Sequence, residues 1–562
     1  MIQDFRSADC PETLAADVCV VGAGPAGISL ALALAQAGWT VCLLEGGGMH
    51  AEAASQALNE GESVGPYAFD PAACRLRAIG GATRVWGGGC IPMGSSEMED
   101  RDWVPGGGWP IGLDELAPYY DRANRMCRIQ PADIEDGAYR VEPRRPDPPA
   151  PLRLRASRSC RLDFGRAYRE QLQQAPRITL LLHANLLRLQ ATPDARAIRS
   201  AAIGDLSGRR GQVRARCFVL AAGGLENARL LLLSDDVAPN GLGNDRDLVG
   251  RYFMDHPRCR LGTLRQADVA RAGRLYESGQ GRGPGSAFHH VCLSDEALRT
   301  HQLQHARVRP FTIECAPPEG LAAMRALRAT LRQPSSLDES ARVETRLLDA
   351  LDDDLPQRQT VGTGRPGPLA LQTVRHADDV VRAALRKLAR RRVVEADRIE
   401  LVGYFEQMPN RDSRVGLSDT RDALGLRRIR VDWRMTGLDE ERIRRAAVLF
   451  GEALAGDLNG RFDPASWLLD PGAPLPLYGT AHHMGTTRMS DSPATGVVDR
   501  QCRVHGIENL YVAGSSVFPT GGWSFPTLTI VALALRIGDE LLRRLPDMPM
   551  ADAAPAAEPV PA

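Results

Sequence analysis

The first organised pattern along the chain is apolar. Asp17-Val18-Cys19-Val20-Val21 has the length and composition of a buried strand, and it runs into Gly22-Ala23-Gly24-Pro25-Ala26-Gly27. An Ala/Leu-rich segment from Ile28 to Ala37 then predicts a helix, and a second apolar strand, Thr40 to Leu44, delivers Glu45. Each part has a mechanical task in a dinucleotide site. Gly22 permits the tight turn, Gly24 lets the backbone approach a pyrophosphate, and Gly27 lets helix and strand pack closely. The helix N-terminus offers free N–H groups and a positive dipole end to phosphates. Glu45, 23 residues after Gly22, ends the second strand where a carboxylate can accept hydrogen bonds from ribose hydroxyls. Such an acid favours an adenosine with a free 2′-hydroxyl, as in FAD or NAD, over NADP.

Further along, Arg77 to Gly89 holds five glycines in thirteen residues, with Ile79, Val85 and Trp86 between them. The glycines argue against a packed helix or strand, and the apolar residues argue against a mobile exposed loop. A backbone pressed against a flat ligand, with Trp86 close by, accounts for both. Asp114 is placed as an N-cap for a helix through Tyr119-Tyr120, and the Pro-rich stretch 143–151 as a linker. Ile178 to Leu189 predicts one or two strands. Cys217 to Ala222 predicts a strand entering Gly223-Gly224 and a helix over Glu226–Leu233, a second unit of the same parallel sheet. Between 260 and 398 the pattern is least regular: a Gly-rich loop over Gly279–Gly285 and helices over Leu321–Arg332, Ser340–Leu351 and Asp378–Arg391. The six positive charges from Arg382 to Arg392 read as a solvated helix face. Ile399–Met408 and Arg427–Trp433 predict strands of an antiparallel sheet, separated by a polar turn region over 410–422. Thr480 to Met489, a strand from Leu510 to Ala513, and a helix from Ile530 to about Arg544 close the organised chain. The Ala/Pro-rich tail, 546–562, predicts disorder.

Composition narrows the function classes. The 562 residues allow more than one domain, and 69 basic against 69 acidic side chains give no reason to expect nucleic acid or an anionic membrane as partner. Lys387 is the one lysine. Twelve cysteines without C-x-x-C pairs or zinc spacing read as reduced, mostly buried thiols, so no metal is expected and the compartment is expected to be cytoplasmic. No apolar run of membrane-spanning length and no secretion pattern is present.

Taken together, the opening nucleotide segment, Gly80 to Gly89, Trp109-Pro110 to Tyr120, Ala222 to Arg229, Phe253-Met254-Asp255-His256-Pro257 and the chain from Gln407 onward resemble the glucose–methanol–choline (GMC) oxidoreductases. The resemblance implies an α/β fold: a discontinuous Rossmann-type FAD domain, 14–258 with a C-terminal return at 495–545, and a substrate domain, 259–494, on an antiparallel sheet. It implies that Gly81, Thr83, Trp86 and Gly87 lie along the flavin, that Leu186 contacts the adenine, and that Ala222 and Gly514-Ser515 belong to the cofactor wall. Pro526-Thr527 would start a helix aimed at the flavin O2 edge. The implied reaction is oxidation of a CH–OH group of a small molecule, with hydride transfer to flavin N5 and a histidine base. By the His-x-x-Gly-Thr motif that base is His482, while His483, His256, His505, His289, His290, His301 and His305 are expected to be structural.

Two departures from the family pattern stand out. Phe525 occupies the position of a second Asn or His, so Phe525, Trp523, Ser524 and His483 are expected around a pocket in which His482 is the main polar contact. An apolar or aromatic alcohol fits that expectation better than a free sugar. Val85 stands where some members carry a flavin-linking His, so FAD is expected to be dissociable. Desaturation or lyase chemistry on the same fold, or a flavin-binding protein without turnover, are the competing readings. O₂, a quinone or a redox protein would serve as electron acceptor.

Overall fold

A computed structural model describes residues 1–67, 69–129, 134–135, 137–140, 148–277, 286–332, 339–352, 365–388 and 396–549. Two large sheets organise them. The first has eight strands, in the order Ile2–Asp4, Ile178–Leu182, Val41–Leu44, Thr13–Val21, Arg210–Leu220, Ile198–Gly204, Asn185–Ala191, with Leu510–Val512 pairing beside Arg210–Leu220. Pairing is parallel from the first strand through Arg210–Leu220 and along Leu510–Val512, and antiparallel for the last two strands. Val18 to Val21 and Val41 to Leu44 are buried, as strands covered on both faces must be. The segment predicted as one or two strands is thus two, and they lie on opposite sides of this sheet.

Three helices pack together, and Pro25–Gln36 among them lies against Thr13–Val21, Val41–Leu44 and Ile178–Leu182. Pro25–Gln36 and Leu113–Met126 both pack on Pro526–Arg544, which begins four residues earlier than its apolar pattern suggests, with extended backbone at Phe525 and with Pro526 as the first helical residue, where its missing N–H costs nothing. Gly112, not Asp114, is the N-cap of the Leu113–Met126 helix; Asp114 lies in its first turn, where its charge suits the dipole. The helix predicted from Glu226 begins at Gly223.

The second sheet has seven strands, all antiparallel: Arg461–Pro464, Arg258–Arg265, Ala396–Phe405, Ala306–Glu314, Ala287–Leu293, Leu152–Ser159 and Gly89–Cys90. Alternation divides its faces. Ala306 and Val308, Ile399 and Leu401, and Val291 and Leu293 point into a core shared with the helix Gly437–Asp457. The intervening residues, Arg307, Arg309, Tyr404, His290 and Cys292, take the other face. Leu152–Ser159 and Gly89–Cys90 come from the stretch expected in the FAD domain, while Ile2–Asp4, ahead of that stretch, joins the first sheet.

One strand assignment changes. Arg427–Asp432 does not share a sheet with Ala396–Phe405. It pairs with Arg414–Arg421 and Gly61–Ser63 in a separate three-stranded sheet, so part of the expected polar turn region is a strand. Its charged side chains point outward while Val415 and Ile429 are buried. The helices Glu319–Arg332, Glu339–Asp352 and Ala377–Leu388 match expectation, and Arg382, Arg386 and Lys387 are solvated. The loop Gly279–Gly285, residues 143–147 of the Pro-rich stretch, 389–395 and 550–562 of the tail lie outside the described residues. Among those described, no helix is long and apolar enough to cross a membrane.

Candidate functional site

A cavity of about 740 Å³ runs from the ends of the parallel strands to the polar face of the antiparallel sheet. Gly22, Gly24, Glu45, Leu186, Ala222, Gly514 and Ser515 line its nucleotide part. Gly81, Thr83, Trp86, Gly87, Pro526 and Thr527 line it further along, with His482, His483 and Phe525. Gly27 does not reach the cavity. A Cβ there would sit 1.9 Å from Gly22 O, which is the close helix–turn packing its position requires. Trp523 and Ser524 also stand outside the lining. The Ser524 hydroxyl and amide and the Trp523 amide all donate to the buried Glu97 carboxylate, which draws this loop away from the opening.

The cavity fits FAD. Gly22 holds φ +106°, where an added Cβ would meet Ala221 O at 2.6 Å, whereas a Cβ on Gly24 would meet nothing within 4 Å and so would project into the cavity. Gly24 caps the first helix without a side-chain bond, leaving its amides open, and the N-terminus at Pro526 is likewise uncapped by any side chain. The Glu45 carboxylate is oriented by two backbone donors, Ala23 N–H at 3.1 Å and Gly47 N–H at 2.9 Å. Burial pushes its carboxyl up from the usual range. Trp86 is fixed by its indole N–H donating to Leu162 O at 3.2 Å. Val85 lies against the cavity, and Cys74 in the same wall is a protonated thiol, pushed up to about 12 by burial.

His482 and His483 diverge as neighbours on extended backbone do. His483 stacks on Phe69 at 5.4 Å and lies against Phe253, with burial holding its imidazole down at about 3. His482 faces Phe525, ring centroids 5.8 Å apart, and its Nδ1 is 3.0 Å from His256 Nδ1 and 3.1 Å from Thr480 Oγ1. His256 Nε2 is 3.3 Å from Gly521 O. A carbonyl can only accept, so His256 carries its proton on Nε2 and presents Nδ1 as an acceptor. His482 must then donate from Nδ1, which leaves the Nε2 lone pair, with no partner among the described residues, open to the cavity. Burial, then His256 and Arg307, hold the His482 imidazole well below its usual value, so it is neutral.

Asp255 builds the turn that carries His482. Its carboxylate accepts from the amides of His256 (2.7 Å), Thr480 (3.2 Å), Ala481 (3.1 Å) and His482 (2.9 Å) and from the Thr480 hydroxyl (2.9 Å). Glu406, paired twice with Arg101 at 2.7 Å, accepts from the Gly522 amide and so holds the loop that bears Gly521 O. The Asp255-His256-Pro257 triplet was visible in the sequence, but nothing in its spacing links it to residue 482; here His256 touches the candidate base. His290 is also at the site. It lines the cavity, its ring 5.5 Å from Phe525, with Nε2 2.8 Å from Ser157 Oγ. His305 and His505 bond to the backbone carbonyls of Ser96 and Ser490. Arg258, Arg307, Arg309, His290 and Tyr404 line the same cavity as His482.

All twelve cysteines are free, ten of them buried. Three of them, Cys90, Cys127 and Cys160, converge with their sulfurs within 4.8 Å of one another, a grouping that no sequence spacing announces.

Comparison with known proteins agrees with this architecture. Residues 409–534 match the family described as GMC oxidoreductase, and residues 15–57 that described as FAD binding domain. The chain is 25% identical to 2-methyl-1,2-propanediol dehydrogenase of Mycolicibacterium austroafricanum, over 97% of this chain and 98% of that protein. It is 26% identical to paromamine 6′-oxidase of Streptomyces fradiae, over 92% of this chain and 90% of that one. The solved structure of a formate oxidase superposes with a TM-score of 0.52 at 16% identity, over 96% of this chain and 100% of that one, and shares the fold. The two matched families, the near full-length relatives and the glycine-lined cavity together support an FAD-binding oxidoreductase similar to those of the GMC family.

Proposed function

We propose that the protein oxidises a CH–OH group of a small molecule, with His482 as the base and FAD held without a covalent link. The observation that carries this reading is the proton arrangement Gly521 O, His256, His482, which leaves one imidazole lone pair, Nε2, toward the cavity. A neutral imidazole there accepts the hydroxyl proton as the C–O bond gains double-bond character. When bound, FAD would supply the two-electron acceptor, at N5, for the hydride that leaves the carbon. Gly22, Gly24, Glu45, Leu186, Ala222, Gly514 and Ser515 would hold its adenosine and phosphates, and Gly81, Thr83, Trp86 and Gly87 its ring. The open amides of this helix start, from Thr527 onward because Pro526 has none, favour negative charge at their wall of the cavity. Relatives named for 2-methyl-1,2-propanediol and paromamine, both hydroxyl compounds, support the same class of donor. The expected division into a discontinuous FAD part and a substrate part on the antiparallel sheet suits a cavity walled by both sheets.

The test is anaerobic flavin reduction by a panel of alcohols, hydroxy acids and sugars. Wild type should bleach with at least one of them. His482→Ala should keep its FAD and lose about 10²–10⁴-fold in reduction rate. A variant within a few-fold of wild type removes His482 from this role, and product formed without bleaching points to lyase chemistry.

A further inference from the structure

Among the residues that line the cavity, the carboxylates are Glu45 and Glu226. Glu45 is bonded to backbone amides in the nucleotide part, and Glu226 is paired with Arg75, Arg77 and Arg229. The antiparallel sheet, by contrast, adds Arg258, Arg307 and Arg309 to the wall and no acid among the described residues.

Arg307 is the informative member. It is 7% exposed, and its guanidinium has no hydrogen bond or ion pair to any described residue. It lies instead against two rings. Its Cζ lies 3.8 Å from the centroid of Tyr404, its directly paired neighbour on Ala396–Phe405, and 4.9 Å from that of Phe525. Cation–π contacts fix the plane of a guanidinium while leaving its N–H edge unspent. An unpaired buried cation costs several kcal/mol, and this one is retained at the open cavity. Burial lowers it to about 10, which leaves it charged at neutral pH. Arg309, two residues on and so on the same face, extends the positive wall. Phe525, which stands where the family pattern has an Asn or His, thus supports a donor supplied by another strand. His482 and Arg307 flank the same ring, so one small molecule lying on Phe525 can reach both.

We propose that Arg307, backed by Arg309, forms a carboxylate-binding subsite, and that the substrate is a hydroxy acid whose hydroxyl meets His482 while its carboxylate meets Arg307. This rests on the alcohol-oxidation reading above and replaces the apolar alcohol expected from Phe525 alone.

The test uses the FAD-loaded protein with acetate and benzoate, against ethanol and benzyl alcohol, followed by calorimetry and by the flavin visible spectrum. Both carboxylates should bind and perturb the spectrum, the neutral partners at least tenfold more weakly. Arg307→Met should lose about 10–100-fold in carboxylate affinity, the worth of a hydrogen-bonded charge pair, with Arg307→Lys in between because the planar fork is gone. Carboxylates binding no better than the alcohols in wild type, or equally to Arg307→Met, overturns the proposal. Inorganic phosphate binding in place of both carboxylates overturns the assignment to a carboxylate. If Arg307→Met does not fold, the wild-type series and Arg307→Lys still decide. His482→Ala should bind carboxylates as wild type does, so failure of the base and failure of the subsite give different results.

Discussion

Removing both acceptors of the His482 Nδ1–H should do far more harm than removing either. His256 Nδ1 lies 3.0 Å from that nitrogen and Thr480 Oγ1 3.1 Å, and the Thr480 hydroxyl proton is directed to Asp255 Oδ1 at 2.9 Å. In His256→Leu or Thr480→Val one acceptor remains. The net loss is that of one hydrogen bond, about 0.5–1.5 kcal/mol, or roughly 2–12-fold in rate. In the double variant the Nδ1–H is orphaned in a buried site, at a cost of about 1–3 kcal/mol, and the proton moves to Nε2. The base is then lost, and with it about 10²–10⁴-fold. The assay is stopped-flow flavin reduction by whichever alcohol of the panel reduces wild type, with FAD content as the folding control. The pH profile gives an independent readout. His482 is depressed, so its active neutral form persists across neutrality and the rate falls only in acid. His256 contributes to that depression, so His256→Leu should shift the acid limb upward. A double variant within about tenfold of wild type, or an acid limb that does not move, refutes this account of how His482 is positioned.

Acid precipitation should release the flavin into the supernatant, because Val85 offers no nucleophile and the Cys74 thiol is pushed up to about 12; flavin in the pellet would reveal a covalent link elsewhere. Phe525→Asn should restore a polar group beside His482 and remove one of the two rings against Arg307, raising turnover of simple sugars relative to carboxylate-bearing alcohols; equal profiles for variant and wild type would show that the ring does not shape the site. Stability should fall as pH drops from about 6.5 toward 4, because burial lowers His256 to about 4 and His483 to about 3 and both are folded in the neutral form while the unfolded chain takes up protons earlier. Thermal melts across that range check this, and a flat melting temperature contradicts it.

What the sequence determined by itself was local. Strand, glycine turn, helix and terminal acid from Val18 to Glu45 form one contiguous unit whose periodicity and spacing carry the nucleotide site. The His482-His483-Met484-Gly485-Thr486 segment is contiguous too, and it was the resemblance it carries that singled out His482 as the candidate base. The tertiary structure decided what depends on residues far apart in the chain. His256 meets His482 across 226 positions, and Asp255 reaches the same turn, because Met254 and Met484 pair in an isolated bridge. Arg307 meets Phe525 only because alternation in Ala306–Glu314 turns Ala306 and Val308 into the core and the arginines toward the cavity. A charged residue in a strand of mixed polarity gives no sign of which face will be sealed, since that is fixed by the helix packed on the other side. The substrate end of the site was therefore illegible until the sheet was assembled.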